Sequence, residues 1–142
     1  MLNLSLVESP KLRCYPSHQI PIVWNRYRPL IQKALDRGSN YDIADIYSGL
    51  CRAEMQLWTW GDDAALVTSL QSDGERYWCL LLALGGAKME EWKCCLPVIE
   101  EWAKNKGCDE LRIYGRRGWA RLGFDIEYTK LVRKLCHQDQ KT

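Results

Sequence analysis

One stretch of the chain constrains the fold more than any other, because four elements follow one another over residues 76–114. The predicted order is an apolar strand over 76–84, a turn at Gly85 and Gly86, an amphipathic helix from about 88 to 106 and a strand over 111–114. A helix that connects two strands of one sheet almost always makes a right-handed crossover, which places the strands parallel. The sequence therefore predicts a central β-α-β unit.

The predicted helix carries an apolar stripe at spacings of three and four residues. Its members are Met89, Trp92, Leu96, Ile99 and Ala103. Such a stripe is typical of a helix that packs on a sheet. Pro97 lies inside the stripe and has no N–H to donate to the carbonyl of Lys93. We therefore expect either a kink at Pro97 or a helix that begins nearer residue 93.

The rest of the chain divides into short elements without internal repeats. Alternation of Leu2, Leu4 and Leu6 indicates a first strand, and residues 9–17 are predicted to form a loop. The further predictions are helices over 23–35 and 42–50, strands over 55–60 and 64–70, a last long strand with a bend over 125–135, and a frayed tail over 136–142. The three strands between residues 55 and 84 are expected to form an antiparallel meander. The predicted fold class is α+β, one domain over residues 1–142, with a mixed, mostly antiparallel sheet and helices on both faces.

Cysteine and histidine usage argues against a metal site. The seven cysteines contain no C-x-x-C pair, and His18 and His137 lie near opposite ends of the chain. Zinc sites use closely spaced ligand pairs, so we interpret the cysteines as reduced, mostly buried side chains of a cytoplasmic protein. No stretch is long and apolar enough to cross a membrane, and the N-terminus lacks the basic start of a signal peptide.

Positive charge is concentrated in the last part of the chain. Residues 104–142 carry ten Lys/Arg and five Asp/Glu, whereas residues 1–103 carry ten and thirteen. Such a segment can face phosphates or an acidic partner, but a solvated face balanced by the acidic part of the fold is the preferred interpretation. A formal net charge of +2 argues against a nucleic-acid partner.

The order of these elements resembles a known family. A strand, two helices, a three-stranded meander, a β-α-β unit, a short helix and a strand form the order of the GCN5-related N-acetyltransferase (GNAT) superfamily, and residues 54–135 carry the resemblance. Residues 118–124, which end in Gly123 and Phe124, resemble the family's closing helix. The segments 54–58, 96–102 and 112–119 are similar to small GNAT-like proteins encoded by tailed bacteriophages. The resemblance implies a single GNAT-like domain.

The resemblance also implies a site for acetyl-CoA at the turn after the central strand. In the family, backbone N–H groups of this turn and the following helix start hold the pyrophosphate. The matching residues here are Leu84, Gly85, Gly86, Ala87 and Lys88. The spaced Gly-x-Gly and the leading Arg or Gln of the family are absent, and Glu90 and Glu91 would repel a phosphate. A plain turn and helix cap is therefore the preferred interpretation of the two glycines.

Two adjacent arginines are a second candidate phosphate contact. Arg116 and Arg117 follow the second crossover strand, and guanidinium groups bind phosphate through paired hydrogen bonds. The preferred alternative is that they pair with Glu100 and Glu101 or remain solvated.

Two residues match the positions of the family's catalytic groups. Glu54, at the head of the meander, matches the general base, and Tyr114, at the end of the second crossover strand, matches the general acid. The family's acid tyrosine usually lies one helical turn later, where this chain has Gly118, Trp119 and Ala120. A solvent-facing strand end for Glu54 and a core position for Tyr114 are the preferred interpretations.

These departures lead to three hypotheses. The leading one is a phage-type GNAT-like protein without catalytic activity, which binds an unknown protein partner or itself in virion assembly or host interaction. The rival is a working acyl-CoA-dependent N-acyltransferase that uses acetyl-CoA. The third is a nucleic-acid-associated module that uses the basic C-terminal face.

Overall fold

The structure is a computed structural model, and it describes residues 12–36, 41–86, 94–114, 125–127 and 130–136. For residues 114, 125–127 and 130–132 only the backbone is described. Several sequence predictions lie outside the described residues. These are the strand at Leu2–Leu6, the helix residues 88–93, the arginine pair Arg116 and Arg117, the closing segment 118–124 and most of the tail.

The described residues form seven strands, three α-helices and one 3-10 turn at Ser17–Gln19. The helices are α1 (Ile20–Leu35), α2 (Ile43–Cys51) and α3 (Leu96–Asn105). The strands are β1 (Leu12–Tyr15), β2 (Met55–Trp60), β3 (Ala64–Ser72), β4 (Tyr77–Gly85), β5 (Glu110–Tyr114), β6 (Asp125–Glu127) and β7 (Lys130–Lys134).

One sheet contains all seven strands, in the order β1-β2-β3-β4-β5-β7-β6. Neighbouring strands are antiparallel except β4 and β5, which run parallel on either side of α3 in the sequence. This is the mixed, mostly antiparallel sheet that the sequence predicts, and the parallel pair is the predicted crossover. The predicted boundaries of β2 are correct, and those of β3 and β4 differ by one or two residues.

The loop predicted over residues 9–17 is wrong in its second half, because Leu12–Tyr15 form β1. β1 pairs with β2, with Leu12 opposite Trp60 and Cys14 opposite Trp58. Four residues between two proline-containing segments carry too little periodicity to indicate a strand. Pairing with β2, which is a tertiary contact, decides its conformation.

The prediction of one long strand over 125–135 is also wrong, because the chain forms two antiparallel strands there. β6 pairs with β7, with Ile126 opposite Leu131. The two residues that connect them, Tyr128 and Thr129, are not turn-forming types, so the sequence contains no turn signal at this point.

The prediction of one continuous helix over 88–106 is wrong, and the alternative of a helix that begins nearer residue 93 is closer to the structure. Cys94 and Cys95 form a turn and α3 begins at Leu96, so Pro97 lies in the first helical turn. An N–H at that position would have no intrahelical partner, so proline costs little there. The helix ends at Asn105, close to the predicted stop, and Gly107 adopts a φ of +90°.

The core lies in two layers, one on each face of the sheet, as the sequence predicts. α3 covers one face, where Ile99 and Trp102 contact strand residues such as Leu66, Leu81 and Leu111. The Trp102 ring meets the ring of Trp58 edge-on at 5.2 Å between centroids. Each fully buried side chain of this size stabilises the fold by about 1.5–3 kcal/mol.

The second layer lies under α1 and α2. Tyr27 and Ile31 of α1 and Ile46 of α2 pack on Leu57 and Val67 of the sheet. α1 begins at Ile20, three residues before the predicted start. Its packing on β3 and β4 brings its backbone close to the end of β4, which is where the candidate site lies.

Candidate functional site

Strand β4 contains a bulge near its C-terminal end. Val67 of β3 pairs with Ala83, but the next residue, Thr68, pairs with Leu81. Leu82 is therefore an extra residue in β4 without a partner on β3. A bulge of this kind bends the strand and increases its local twist, so the last residues of β4 change direction here.

The parallel pairing of β4 with β5 ends at the same place. The last registered pair is Leu81 with Ile113, whereas β4 continues to Gly85. Within the described residues, 82–85 have no strand partner on the β5 side. β4 thus runs about 13 Å beyond its last described pair with β5, and we call the space beside this stretch the opening. The backbone N–H and C=O groups of such an edge are available to a ligand.

The glycine pair at the end of β4 is required by close backbone contacts. A Cβ on Gly85 would lie 2.0 Å from the carbonyl oxygen of Leu30 in α1. Gly86 has a φ of +96°, and a Cβ there would lie 1.8 Å from the carbonyl oxygen of Asp63 in the β2–β3 turn. Only glycine fits at both positions. This contact explains the pair structurally, without a ligand.

The other residues of the predicted cofactor turn are only partly described. Leu84 is half-buried against the α3 layer, Gly85 is buried and Gly86 is exposed, whereas Ala87 and Lys88 lie outside the described residues. The charged neighbours on the β2–β3 turn are acidic. Asp63 is exposed beside Gly86, and Asp62 is held by Arg26 at 3.3 Å.

The start of α3 contributes few free donors to an anion. Pro97 has no N–H, and the N–H groups of Val98 and Ile99 both donate to the carbonyl oxygen of Cys95, at 3.0 and 3.1 Å. Anion sites at helix starts depend on such N–H groups being unpaired. The described start of α3 therefore offers few N–H groups to an anion, but it lies ten residues after Gly86, and residues 87–93 between them are outside the described part of the chain.

The two predicted catalytic residues lie in different places. Tyr114 ends β5, directly after Ile113, so its backbone lies at the start of the opening. Glu54 precedes β2, whose first residue Met55 pairs with Ser69 and is thereby level with Leu80. That level is roughly 7 Å along the sheet from the start of the opening at Leu82, and β2 lies two strands away from β4. The structure does not bring Glu54 to the opening.

The surroundings of Glu54 are those of a solvent-facing strand start. Its carboxylate is exposed and lies 4.0 Å from the guanidinium of Arg52, and its N–H donates to the carbonyl oxygen of Gly49 at 2.9 Å. An exposed ion pair of this kind contributes little to stability. The catalytic roles of Glu54 and Tyr114 stay predictions.

A buried charge cluster at the closed end of the β4–β5 pair was not anticipated from the sequence. Glu110, 1% exposed, accepts hydrogen bonds from Nε of Arg112 and Nζ of Lys134. The Arg112 guanidinium lies over the Trp78 ring, 3.7 Å from its centroid, and Trp78 Nε1 donates to Oε1 of Gln71 at 3.2 Å. We call Glu110, Arg112, Lys134 and Trp78 the Glu110 clamp. Alternation of Glu and Arg in a short strand between apolar residues is the one signal that the sequence offers.

Opposing effects act on the Glu110 carboxyl. Burial raises the pKa of this group. The hydrogen bonds and the positive charges of Lys134 and Arg112 lower the pKa by more than burial raises it. The pKa of Glu110 therefore lies below its usual range. Glu110 is thus an ionised structural anion rather than a proton acceptor near neutral pH.

The cysteines do not form a metal site within the described residues. None of the seven cysteines, all of which lie within the described residues, forms a disulfide, and Cys79, Cys95 and Cys108 are buried. Burial raises the pKa of Cys14 to about 12 and, with the nearby Asp109 charge, that of Cys108 to about 11. These thiols are therefore neutral, which suits apolar packing rather than nucleophilic chemistry.

None of the described helices has the length and apolar character that a membrane span requires.

Comparisons with known proteins identify the fold. No protein-family model and no curated protein matches the sequence. Among solved structures, N-acetylglutamate synthase from Neisseria gonorrhoeae, complexed with coenzyme A and N-acetyl-glutamate, matches with a TM-score of 0.61 at 15% identity, over 89% of this chain and 35% of that chain. The chain thus spans about a third of the length of that synthase.

Two further structures match over most of both chains. A GNAT family acetyltransferase from Brucella melitensis in complex with acetyl-CoA has a TM-score of 0.56 at 14% identity, over 89% of each chain. The PaiA N-acetyltransferase from Thermoplasma acidophilum in complex with coenzyme A has a TM-score of 0.53 at 12% identity, over 85% of this chain and 96% of that chain. The fold is therefore that of the GNAT acetyltransferases, and the predicted fold class is confirmed.

Proposed function

We propose that this protein binds an acyl-CoA thioester in the opening between β4 and β5. The observation that carries the proposal is the free edge of β4 over residues 82–85, beyond its last pair with β5. The pantetheine arm of CoA is an extended chain with two amides, and such a chain can pair with a strand edge as an added strand does. Structural neighbours in complex with coenzyme A or acetyl-CoA support the choice of ligand.

The arm rather than the pyrophosphate is proposed to supply most of the affinity. Asp63 lies beside Gly86, and a negative charge near the turn weakens a phosphate site. Lys88, Arg116 and Arg117 remain the candidate phosphate contacts outside the described residues. When it is bound, the thioester supplies an activated acyl group.

Calorimetry with acetyl-CoA tests the proposal. We expect a dissociation constant in the micromolar range and, in hydrogen–deuterium exchange, protection of residues 82–85 but not of the β2 amides 55–60. The absence of measurable heat at millimolar acetyl-CoA would refute it. A Gly86→Glu variant cannot place the site, because a side chain there meets the Asp63 carbonyl and disturbs the fold itself.

A second candidate is a binding protein without transfer activity. It is favoured by the position of Glu54, level with Leu80 and two strands away from β4. The similarity to phage proteins extends this proposal to a virion, assembly or host partner, or to self-association. The test is release of free CoA from acetyl-CoA in the presence of a panel of amines. For a binding protein we expect no release of CoA above background, and the Glu54→Gln variant should give the same result. Turnover would instead support the acyltransferase.

A further inference from the structure

Few interactions join β4 to β5, although the candidate site depends on how they are held. Only four residue pairs are registered, from Trp78 with Glu110 to Leu81 with Ile113. Parallel pairing is slightly less stable per residue than antiparallel pairing. A ligand that enters the opening would push β4 and β5 apart at one end of this short ladder. The opposite end must therefore be held if the opening is to keep its width.

The Glu110 clamp lies at that opposite end. Trp78 belongs to β4, Glu110 and Arg112 to β5, and Lys134 to β7, so the clamp links three adjacent strands through side chains. It lies about 10 Å from the last registered pair, at Ile113. The clamp and the opening thus lie at the two ends of one short parallel ladder.

Backbone hydrogen bonds reinforce the same end. Asp109 N–H donates to the carbonyl oxygen of Tyr77 at 2.7 Å, and Leu135 N–H donates to the carbonyl oxygen of Asp109 at 2.6 Å. The N–H of Tyr77 donates to Oδ2 of Asp109 at 3.3 Å. Residue 109 therefore ties β4 to the chain that follows β7, next to the ion pairs of Glu110.

We propose that Glu110 is a positioning residue that holds the closed end of the β4–β5 pair and thereby sets the width of the opening where the thioester binds. The identity of the ligand rests on the proposed function, whereas the role of Glu110 in holding β4 and β5 together does not depend on a ligand. Glu110 itself is buried and neutralised by Arg112 and Lys134, so it acts through the strands and not on the ligand.

The test variant is Glu110→Gln, which keeps the side-chain shape and removes the charge that holds both cations. Its matched control is Glu100→Gln. Glu100 pairs with Arg133 at 2.8 Å and links α3 to β7 next to Lys134, so this ion pair joins two elements other than β4 and β5. Lys134→Ala is a milder second variant, because Lys134 is largely exposed and its loss leaves the Glu110–Arg112 pair intact.

The first measurement is hydrogen–deuterium exchange of the ligand-free proteins. We expect amides of residues 79–81 and 111–113 to exchange at least tenfold faster in Glu110→Gln and several-fold faster in Lys134→Ala. Exchange in β2 should rise less than at these amides, because only the global loss of stability acts there, and Glu100→Gln should resemble the unsubstituted protein. Equal acceleration in the Glu100→Gln control, or acceleration spread evenly over the sheet, would overturn the proposal.

The second measurement is the dissociation constant of acetyl-CoA. We expect it to rise at least fivefold in Glu110→Gln and to stay within twofold in Glu100→Gln. Faster exchange at the ladder with an unchanged affinity would overturn the link to the opening. If the unsubstituted protein does not bind acetyl-CoA, the proposed function fails, and the exchange data alone decide whether Glu110 holds the strands.

Discussion

At the scale of single residues, the loss of the Glu110 charge has a large predicted effect on stability. In Glu110→Gln the guanidinium of Arg112 stays buried without its counter-charge, and breaking a buried pair in this way costs about 3 kcal/mol or more. Urea unfolding at pH 7 should show a loss of this size in the free energy of unfolding. A change below about 1 kcal/mol would mean that the cations find other partners or water.

The same carboxyl predicts how stability depends on pH. The pKa of Glu110 is lowered in the folded state, so its contribution is present above the unfolded pKa, about 4.3 for glutamate, and is lost as the pH falls through the folded value. The difference in stability between the unsubstituted protein and Glu110→Gln should therefore be full at pH 7 and shrink in acid. A difference that stays constant from pH 7 to pH 3 would contradict this.

Two glycines have nearly the same φ, so substitutions at these positions separate the cost of steric overlap from the cost of the backbone conformation. Gly86 has a φ of +96° and a Cβ site blocked by the Asp63 carbonyl, whereas Gly74 has a φ of +97° and open space around it. Gly74→Ala should cost about 1 kcal/mol, and Gly86→Ala about 3 kcal/mol or more because overlap adds to strain. Thermal unfolding of both variants measures the difference, and equal losses would count against the close contact.

At the scale of elements, the start of α3 can be tested through its proline. Since Pro97 lies in the first turn, Pro97→Ala should change the free energy of unfolding by less than about 0.5 kcal/mol. A helix that continued through residue 97 from residue 88 would instead gain about 3 kcal/mol from the same change.

A proline placed inside α3 is the matched comparison. Glu101 is exposed in the middle of the helix, and its ion pair with Lys104 at 3.9 Å contributes little. Glu101→Pro should cost about 3 kcal/mol, with Glu101→Ala as the control for the lost ion pair. Chemical denaturation is sufficient to rank the three variants.

The elements also show where sequence patterns succeed. β2 and β4 were predicted closely because each alternates or runs apolar over six or more residues between turn signals. β1 and the division between β6 and β7 were not predicted. A four-residue strand is too short for a periodic signal, and residues 126–131 contain no glycine, proline or asparagine that would indicate a break, so cross-strand pairing decides the conformation in both places. The same limit hid the Glu110 clamp, whose members come from β4, β5 and β7.

At the scale of the whole molecule, the order of elements predicts the sheet order. Hairpin connections make β2, β3 and β4 neighbours, and a right-handed crossover places β5 beside β4. These rules leave the places of β1, β6 and β7 open, and the structural comparisons show that the described sheet has the fold of the GNAT acetyltransferases. They do not determine chemistry, because many activities share one fold. The acyl-CoA proposal therefore rests on the opening at the end of β4 and on its tests.

The sequence by itself determined the fold class, the central parallel pair and the position of the glycine turn, because periodicity and turn residues are local properties of the chain. Only the tertiary structure decided what the turn does and where the charges lie. Gly85 and Gly86 are glycines because α1 and the β2–β3 turn press against them, and Glu110 is buried because three strands bring two cations to it. Contacts between distant segments leave no periodic trace in a single sequence, so such features become visible only when the chain is folded.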